Sequence, residues 1–197
     1  MKRWEQLSKR ALDIAAAGTG LAAIAPWMLG IAAAIKLDSP GPALFRQKRL
    51  GKGGVVFDIL KFRTMQEGAD VVIGADHTVV NPVGDSRVTR VGKFLRHTSL
   101  DELPQLINVL CGDMSLVGPR PDLPEGLSVY DEQQRRKLDV QPGITGWAQV
   151  SGRNLLTAEE KWALDVEYVD RASARMDLDI LVKTAFQVIR RKGIYNA

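Results

Sequence analysis

The stretch IAAAGTGLAAIAPWMLGIAAAI, from Ile14 to Ile35, runs for 22 residues without a charged side chain. As a straight helix it would reach about 33 Å, enough to cross a bilayer core of roughly 30 Å. A cleaved signal sequence is excluded, because the run is too long for an h-region and no cleavage site breaks away from it. A simple span is disfavoured by charge. Lys2, Arg3, Lys9 and Arg10 precede the run, and Lys36, Arg46, Lys48, Arg49 and Lys52 follow it. Basic flanks stay on the cytoplasmic side of a membrane, and here both flanks are basic. Pro26 lies near the middle, where it removes a backbone donor and clashes with the preceding turn. The expectation is a re-entrant helical hairpin over residues 1–37 with both ends on one side. A kinked single span and a buried core helix are the alternatives.

Beyond the run, Asp38-Ser39-Pro40-Gly41-Pro42 breaks any regular element and opens a soluble part over residues 38–197. The strand-like runs Ala43–Gln47 and Val55–Phe62 flank Gly51-Lys52-Gly53-Gly54, which predicts a β-hairpin. Glu67–Asn81 reads as a helix fragment or a loop. Short helices are expected over Thr89–Leu95 and Gln105–Leu110, and a short strand over Met114–Val117. Helices are also expected over Glu132–Leu138 and Ala158–Val169, with a glycine-rich turn at Pro142–Trp147 between them. Near the C-terminus Leu178, Leu181, Ala185, Val188 and Ile189 share a helical face, with Lys183, Arg190, Arg191 and Lys192 mostly elsewhere. Such a basic amphipathic helix packs on a core or lies at a lipid interface.

The 197 residues are 45% hydrophobic and 25% charged, the make-up of a folded domain rather than a disordered chain. A net charge of +4 fits an anionic partner such as phosphate, acidic lipid or nucleic acid. No nucleic-acid-binding motif is present, and the basic residues sit in breaker loops and beside the apolar run. Cys111 is the single cysteine, so no disulfide can form within the chain. It follows the apolar residues Leu106–Leu110 and is expected to be buried and inert. His77 and His97 are too few and too isolated for a zinc site.

Asp101 and Glu102 stand in Thr98-Ser99-Leu100-Asp101-Glu102-Leu103-Pro104-Gln105-Leu106. Two readings are open. Ser99 and Glu102 have the spacing of a capping box, with Asp101 placed well for the helix dipole. The two carboxylates could instead carry chemistry, since Lys61, Arg63, Arg87, Arg96 and Arg120 all lie near breaks in regular structure. Arg120 is held between Pro119 and Pro121, and a rigid guanidinium fork suits phosphate better than a flexible ammonium does.

Several segments together resemble the bacterial sugar transferase family, the monotopic phosphoglycosyl transferases. They are Lys61–Met65, Thr98–Leu106, Gly112–Pro121, and Pro142–Trp147 with Gly152-Arg153-Asn154, preceded by Lys9, Arg10, Asp13 and the apolar run. The resemblance covers nearly the whole chain, in order. It implies an α/β membrane-associated fold: a re-entrant helix and a compact cytoplasmic catalytic domain with a small β-hairpin and interfacial helices.

It also implies a Mg²⁺-dependent two-step transfer of a sugar-1-phosphate from a UDP-sugar to undecaprenyl phosphate, releasing UMP, at the cytoplasmic face of a bacterial membrane. Asp101 matches the family's nucleophile and Glu102 its metal-associated partner, the pair being the expected metal ligands. Lys61, Arg63, Arg96, Arg120 and Arg153 match the substrate-binding region. The chain resembles the small, core-only members. Ala25, His97 and Ser151 depart from the residues common in the family, which bears on hairpin depth and substrate choice. Neither the sugar nor the oligomeric state is implied, and no nucleic-acid partner is.

Overall fold

The computed structural model describes residues 3–70, 72, 74, 84–152 and 156–190. Helix α1 spans Arg3–Asp38, 36 residues, with Pro26 inside it. The helix is assigned without interruption across the proline, so the expected hairpin does not divide into two separate helices. A proline removes only one intrahelical bond, and the rest of an alanine-rich run can carry the helix through it.

Both halves of α1 are fastened to the rest of the chain. On the N-terminal side Arg10 donates to the Val109 carbonyl at 2.6 Å and the Leu110 carbonyl at 3.1 Å. These carbonyls lie at the C-terminal end of α3 (Gln105–Cys111), where a cation is favourable. Asp13 is buried and accepts from Ser115 Oγ at 2.7 Å and from the Leu116 amide at 3.1 Å. Ala17 belongs to a core cluster with Phe57, Ile59, Val109 and Met114. On the C-terminal side Met28, Ile31 and Ile35 pack with Phe62 and Leu95, and Asp38 accepts from the Val91 amide at 2.9 Å. Between these anchors Trp27 and Leu29 are 76% and 73% exposed.

Strands β1 (Leu44–Leu50) and β2 (Val56–Phe62) form the expected antiparallel hairpin, in register Leu44↔Phe62 to Leu50↔Val56. Gly53 and Gly54 turn it with φ of 68° and 77°, a region open to glycine. Asn108 of α3 locks onto β2, accepting from the Leu60 amide at 2.9 Å and donating to the Asp58 carbonyl at 2.8 Å. Helix α2 covers Arg90–Thr98, capped by the Thr89 hydroxyl on the Gly92 amide. Glu67 and Gly68 form a turn, not a helix, and most of the Glu67–Asn81 segment beyond Asp70 lies outside the described residues.

The segment read as a glycine-rich turn at Pro142–Trp147 contains instead a strand, β4 (Gly143–Thr145), parallel to β3 (Ser115–Val117). Glycines are needed there for close backbone approach. A Cβ at Gly143 would lie 2.1 Å from the Gly118 nitrogen, and one at Gly146 would lie 2.1 Å from the Gly118 oxygen. Helix α4 (Glu132–Arg135) gives way to a 3-10 turn at Arg136–Asp139. Helices α5 (Trp147–Ser151), α6 (Ala158–Arg171) and α7 (Ala174–Arg190) complete the described chain.

One expectation about a face needs correcting, and one left open is resolved. Cys111 is exposed. The inward positions of α3 are Gln105, Asn108 and Val109, and Cys111 sits two residues past Val109, on the opposite side of the helix. In α7 the inward residue is Ile180, with Met176 packed beside it. Leu178, Leu181, Val182, Phe186 and Ile189 instead form a stripe 38–76% exposed.

Candidate active site

Helix α2 ends where Ser99 adopts φ 57° and ψ 18°, the one positive φ at a non-glycine residue among those described. The strained residue turns the chain into a single 3-10 turn, Leu100–Glu102, which Pro104 separates from α3. Leu100 and Leu103 anchor this turn in the cluster of Ile35, Phe62 and Leu95. The capping box does not form, because the Ser99 side chain makes no capping bond. The Glu102 carboxylate goes elsewhere. Its Oε1 accepts from Lys61 Nζ at 2.9 Å and from Arg120 Nη2 at 3.2 Å.

Lys61 shares the face of β2 that carries Phe57 and Ile59, which turns it inward. Arg120 follows β3 on the Gly118-Pro119 corner, and Arg49 and Leu50 of β1 hold the next residues. Arg49 Nη1 donates to the Pro121 carbonyl at 3.1 Å, and the Leu50 amide to the Asp122 carbonyl at 2.9 Å. Arg96 is in the last turn of α2 and donates from Nε to Thr64 Oγ1 at 2.9 Å. Arg63 is engaged differently. Its guanidinium donates to the Ser39 carbonyl at 2.8 Å, to Ser39 Oγ at 3.1 Å and to the Pro40 carbonyl, tying the exit of α1 to the end of β2. Arg153 lies outside the described residues.

The adjacent acids are driven apart electrostatically. Burial, then the charge of Glu102, raises Asp101 to about 6 against the pull of Lys61, Arg96 and Arg120. Burial also works against ionised Glu102, but Lys61 and Arg120 outweigh it and hold that group at about 2. Arg49 is lowered to about 10 by burial and by the charge of Arg120. All of these residues line one cleft of about 900 Å³, which extends to Gln149, Trp162, Asp165 and Thr184 on the last three helices.

Behind Arg120 lies a buried network that was not apparent in the sequence. Lys137, 3% exposed, lies 2.7 Å from both Asp122 Oδ2 and Asp165 Oδ2. Tyr130 OH and Trp162 Nε1 also donate to Asp122 Oδ2. Its members come from four separate segments, so no spacing rule points to it.

The bacterial sugar transferase family model matches residues 4–191 of the chain. The chain belongs to the bacterial sugar transferase family. This sugar transferase is 44% identical over 187 residues to the sugar transferase EpsL of Bacillus subtilis (strain 168), covering 94% of this chain and 89% of that one. It is 44% identical over 200 residues to the UDP-glucose:undecaprenyl-phosphate glucose-1-phosphate transferase of Caulobacter vibrioides, covering 96% and 72%. With the Escherichia coli (strain K12) enzyme of that same name it shares 42% over 203 residues, covering 96% of this chain and 42% of that one.

A metal ion here would have few protein ligands. No group of three or more His, Cys, Asp or Glu side chains converges among the described residues. Mg²⁺ carried on substrate phosphates needs only one or two carboxylates and keeps several waters. Asp101 and Glu102, with Glu102 held ionised, fit that donor set.

Proposed function

We propose that this sugar transferase moves a sugar-1-phosphate from a UDP-sugar to undecaprenyl phosphate, releasing UMP, with Asp101 as a covalent nucleophile. The observation that carries the reading is the dyad itself. Glu102 is held ionised by Lys61 and Arg120, and Asp101 stands beside it in a cleft shared with Arg96 and Arg49. The names of the relatives from Caulobacter vibrioides and Escherichia coli agree with it.

In the first step an Asp101 carboxylate oxygen attacks the phosphorus that carries the sugar. The bond from that phosphorus to UMP breaks, and UMP leaves with the electron pair. In the second step an oxygen of the polyprenol phosphate attacks the same phosphorus and releases Asp101 as a carboxylate. Arg120, Lys61 and Arg96 mask the pyrophosphate charge that would otherwise repel the nucleophile and stabilise the charge developing on UMP. Asp101 and Glu102 would hold Mg²⁺, which supplies further charge neutralisation at the phosphoryl oxygens when bound.

The lipid substrate requires a membrane-surface enzyme, and two contacts of α1 support a monotopic reading. Asp13 and Ile35 flank Pro26, and each packs on the domain that carries the dyad. Those contacts support a reading in which both ends of the apolar run lie on one side of the membrane, with the exposed Trp27 and Leu29 turned to lipid. The exposed stripe of α7 gives a second apolar contact with the bilayer surface. The test of the chemistry is exchange of labelled UMP into UDP-sugar with Mg²⁺ and no lipid. Exchange without lipid supports the covalent scheme, and its absence favours direct in-line transfer.

A further inference from the structure

Asp165 of α6 is 2% exposed, and its two carboxylate oxygens are in different situations. Oδ2 lies 2.7 Å from Lys137 Nζ, whereas Oδ1 is buried without a hydrogen-bond partner. Gln149 of α5 is stranger still. Its Nε2 and its Oε1 are both buried, and neither has a partner. A buried polar atom left unpaired costs about 1–3 kcal/mol, so three such atoms in one cleft require an explanation. Both residues line the cleft that holds Asp101 and Glu102. Room for the amide depends on Gly146, where a Cβ would approach Gln149 Oε1 to 2.9 Å.

We propose that Asp165 and Gln149 form the subsite that receives the hydroxyl groups of the transferred sugar. The inference rests on the transferase reading and deepens it. A carboxylate oxygen already anchored through its twin can only accept, and a sugar hydroxyl is a neutral donor. The carboxamide beside it both donates and accepts, which suits a second hydroxyl or a ring substituent. Lys137 keeps Asp165 paired, so the subsite does not present a full unscreened charge to a neutral sugar. Position favours the sugar over the uracil end of the substrate. Arg120, which contacts Glu102, is also close enough to Asp165 to act on its ionisation. The sugar is bonded to the reacting phosphoryl group, whereas the uracil lies beyond a second phosphate and a ribose.

A site built to hydrogen-bond a substrate hydroxyl rejects an analogue that leaves its polar groups unpaired. The test compares UMP release from UDP-glucose, UDP-galactose and UDP-N-acetylglucosamine by the full chain in lipid nanodiscs, with Mg²⁺ and undecaprenyl phosphate. Wild type, Gln149→Leu and Asp165→Asn are measured alongside inhibition by UMP. The expected result is a change of roughly tenfold or more in the ratios of kcat/KM among the sugars, with the UMP inhibition constant shifted less than about twofold. Unchanged ratios overturn the subsite while leaving the transferase reading intact. An equal loss for UMP and for every sugar assigns the two residues to the uridine instead and also overturns it. No UMP release by the wild type from any of the three sinks the transferase reading, and the subsite with it. Should Asp165→Asn melt early through loss of its pairing with Lys137, Gln149→Leu, which touches no ion pair, decides.

Discussion

Lys61 and Glu102, 41 residues apart in the chain, meet at 2.9 Å between Nζ and Oε1. That ion pair joins the β-hairpin to the 3-10 turn after α2. It also commits one of two neighbouring carboxylates to cations and leaves Asp101 beside it as the more basic of the two. Replacing Lys61 with Met should therefore lower turnover by about 10²-fold, the cost of losing one charge-stabilising donor. Membrane association should be unaffected. Wild-type rates in Lys61→Met would remove this pair from the mechanism.

Asp101→Asn keeps the shape of the side chain and its capacity to accept hydrogen bonds. Since Ser99 caps nothing here, no helix-capping role remains for the acids to fulfil. The variant should fold, as judged by an unchanged melting temperature, and lose UMP exchange by at least about 10³-fold, because an amide is a very poor nucleophile at phosphorus. Substantial turnover by Asp101→Asn would exclude the covalent scheme.

Arg120 is fixed by Pro119 and Pro121 and by the β1 contacts behind them. Arg120→Ala should reduce kcat/KM for the UDP-sugar by about 10²-fold. Arg120→Lys should recover little of it, because an ammonium cannot reproduce the two-pronged donor. Steady-state kinetics on both variants measure this, and full rescue by lysine would show that charge alone is used.

Lys137 sits between two buried carboxylates. Lys137→Met leaves Asp122 and Asp165 without their cation and should destabilise the fold by about 3–5 kcal/mol. The loss should shrink on acidification. Asp165 stands at about 6 even with Lys137 present, above the ordinary ~3.9 of an unfolded aspartate. Between those values the folded state holds a proton that the unfolded state has lost, so this group favours folding increasingly as pH falls through the window. Removing Lys137 pushes the window upward. Denaturant midpoints from pH 8 to pH 5 test it, and a pH-independent deficit would contradict the assignment.

Topology can be read by labelling. Single cysteines near Lys2 and near Asp38 should both resist a membrane-impermeant thiol reagent applied from the periplasmic side. A Cys111→Ala background is needed because Cys111 is exposed. Reaction at one end alone would establish a spanning helix. On α7, Phe186→Asp and Ile189→Asp together should weaken the hold on the membrane that α1 leaves in place, read as easier extraction by mild detergent, since both residues lie on the exposed stripe.

Elements with a strong local pattern were legible in the chain. The β1–β2 hairpin, α2, α3, α6 and α7 lie within a few residues of where periodicity and breakers put them, because hydrogen-bond ladders and side-chain phase are short-range. Phase within a short apolar run was harder. Cys111 was placed with its neighbours and faces the other way. Pro142–Trp147 looked like a turn because its glycines suggest freedom, whereas they serve the close packing of β4 against Gly118. Arg63 carries the same charge as Lys61 and Arg96, yet its partners are Ser39 and Pro40.

By itself the sequence determined that this chain has an apolar, proline-centred run with basic flanks, a set of helices and one hairpin, and an acidic pair among cations. Those features depend on residues near one another along the backbone. Only the tertiary structure decided that Glu102 serves Lys61 and Arg120, that Lys137 is buried between Asp122 and Asp165, and that Gln149 faces the same cleft as Asp101. Each of these depends on which charges lose water together when distant segments pack. Desolvation, unlike helical phase, is a property of the assembled interior.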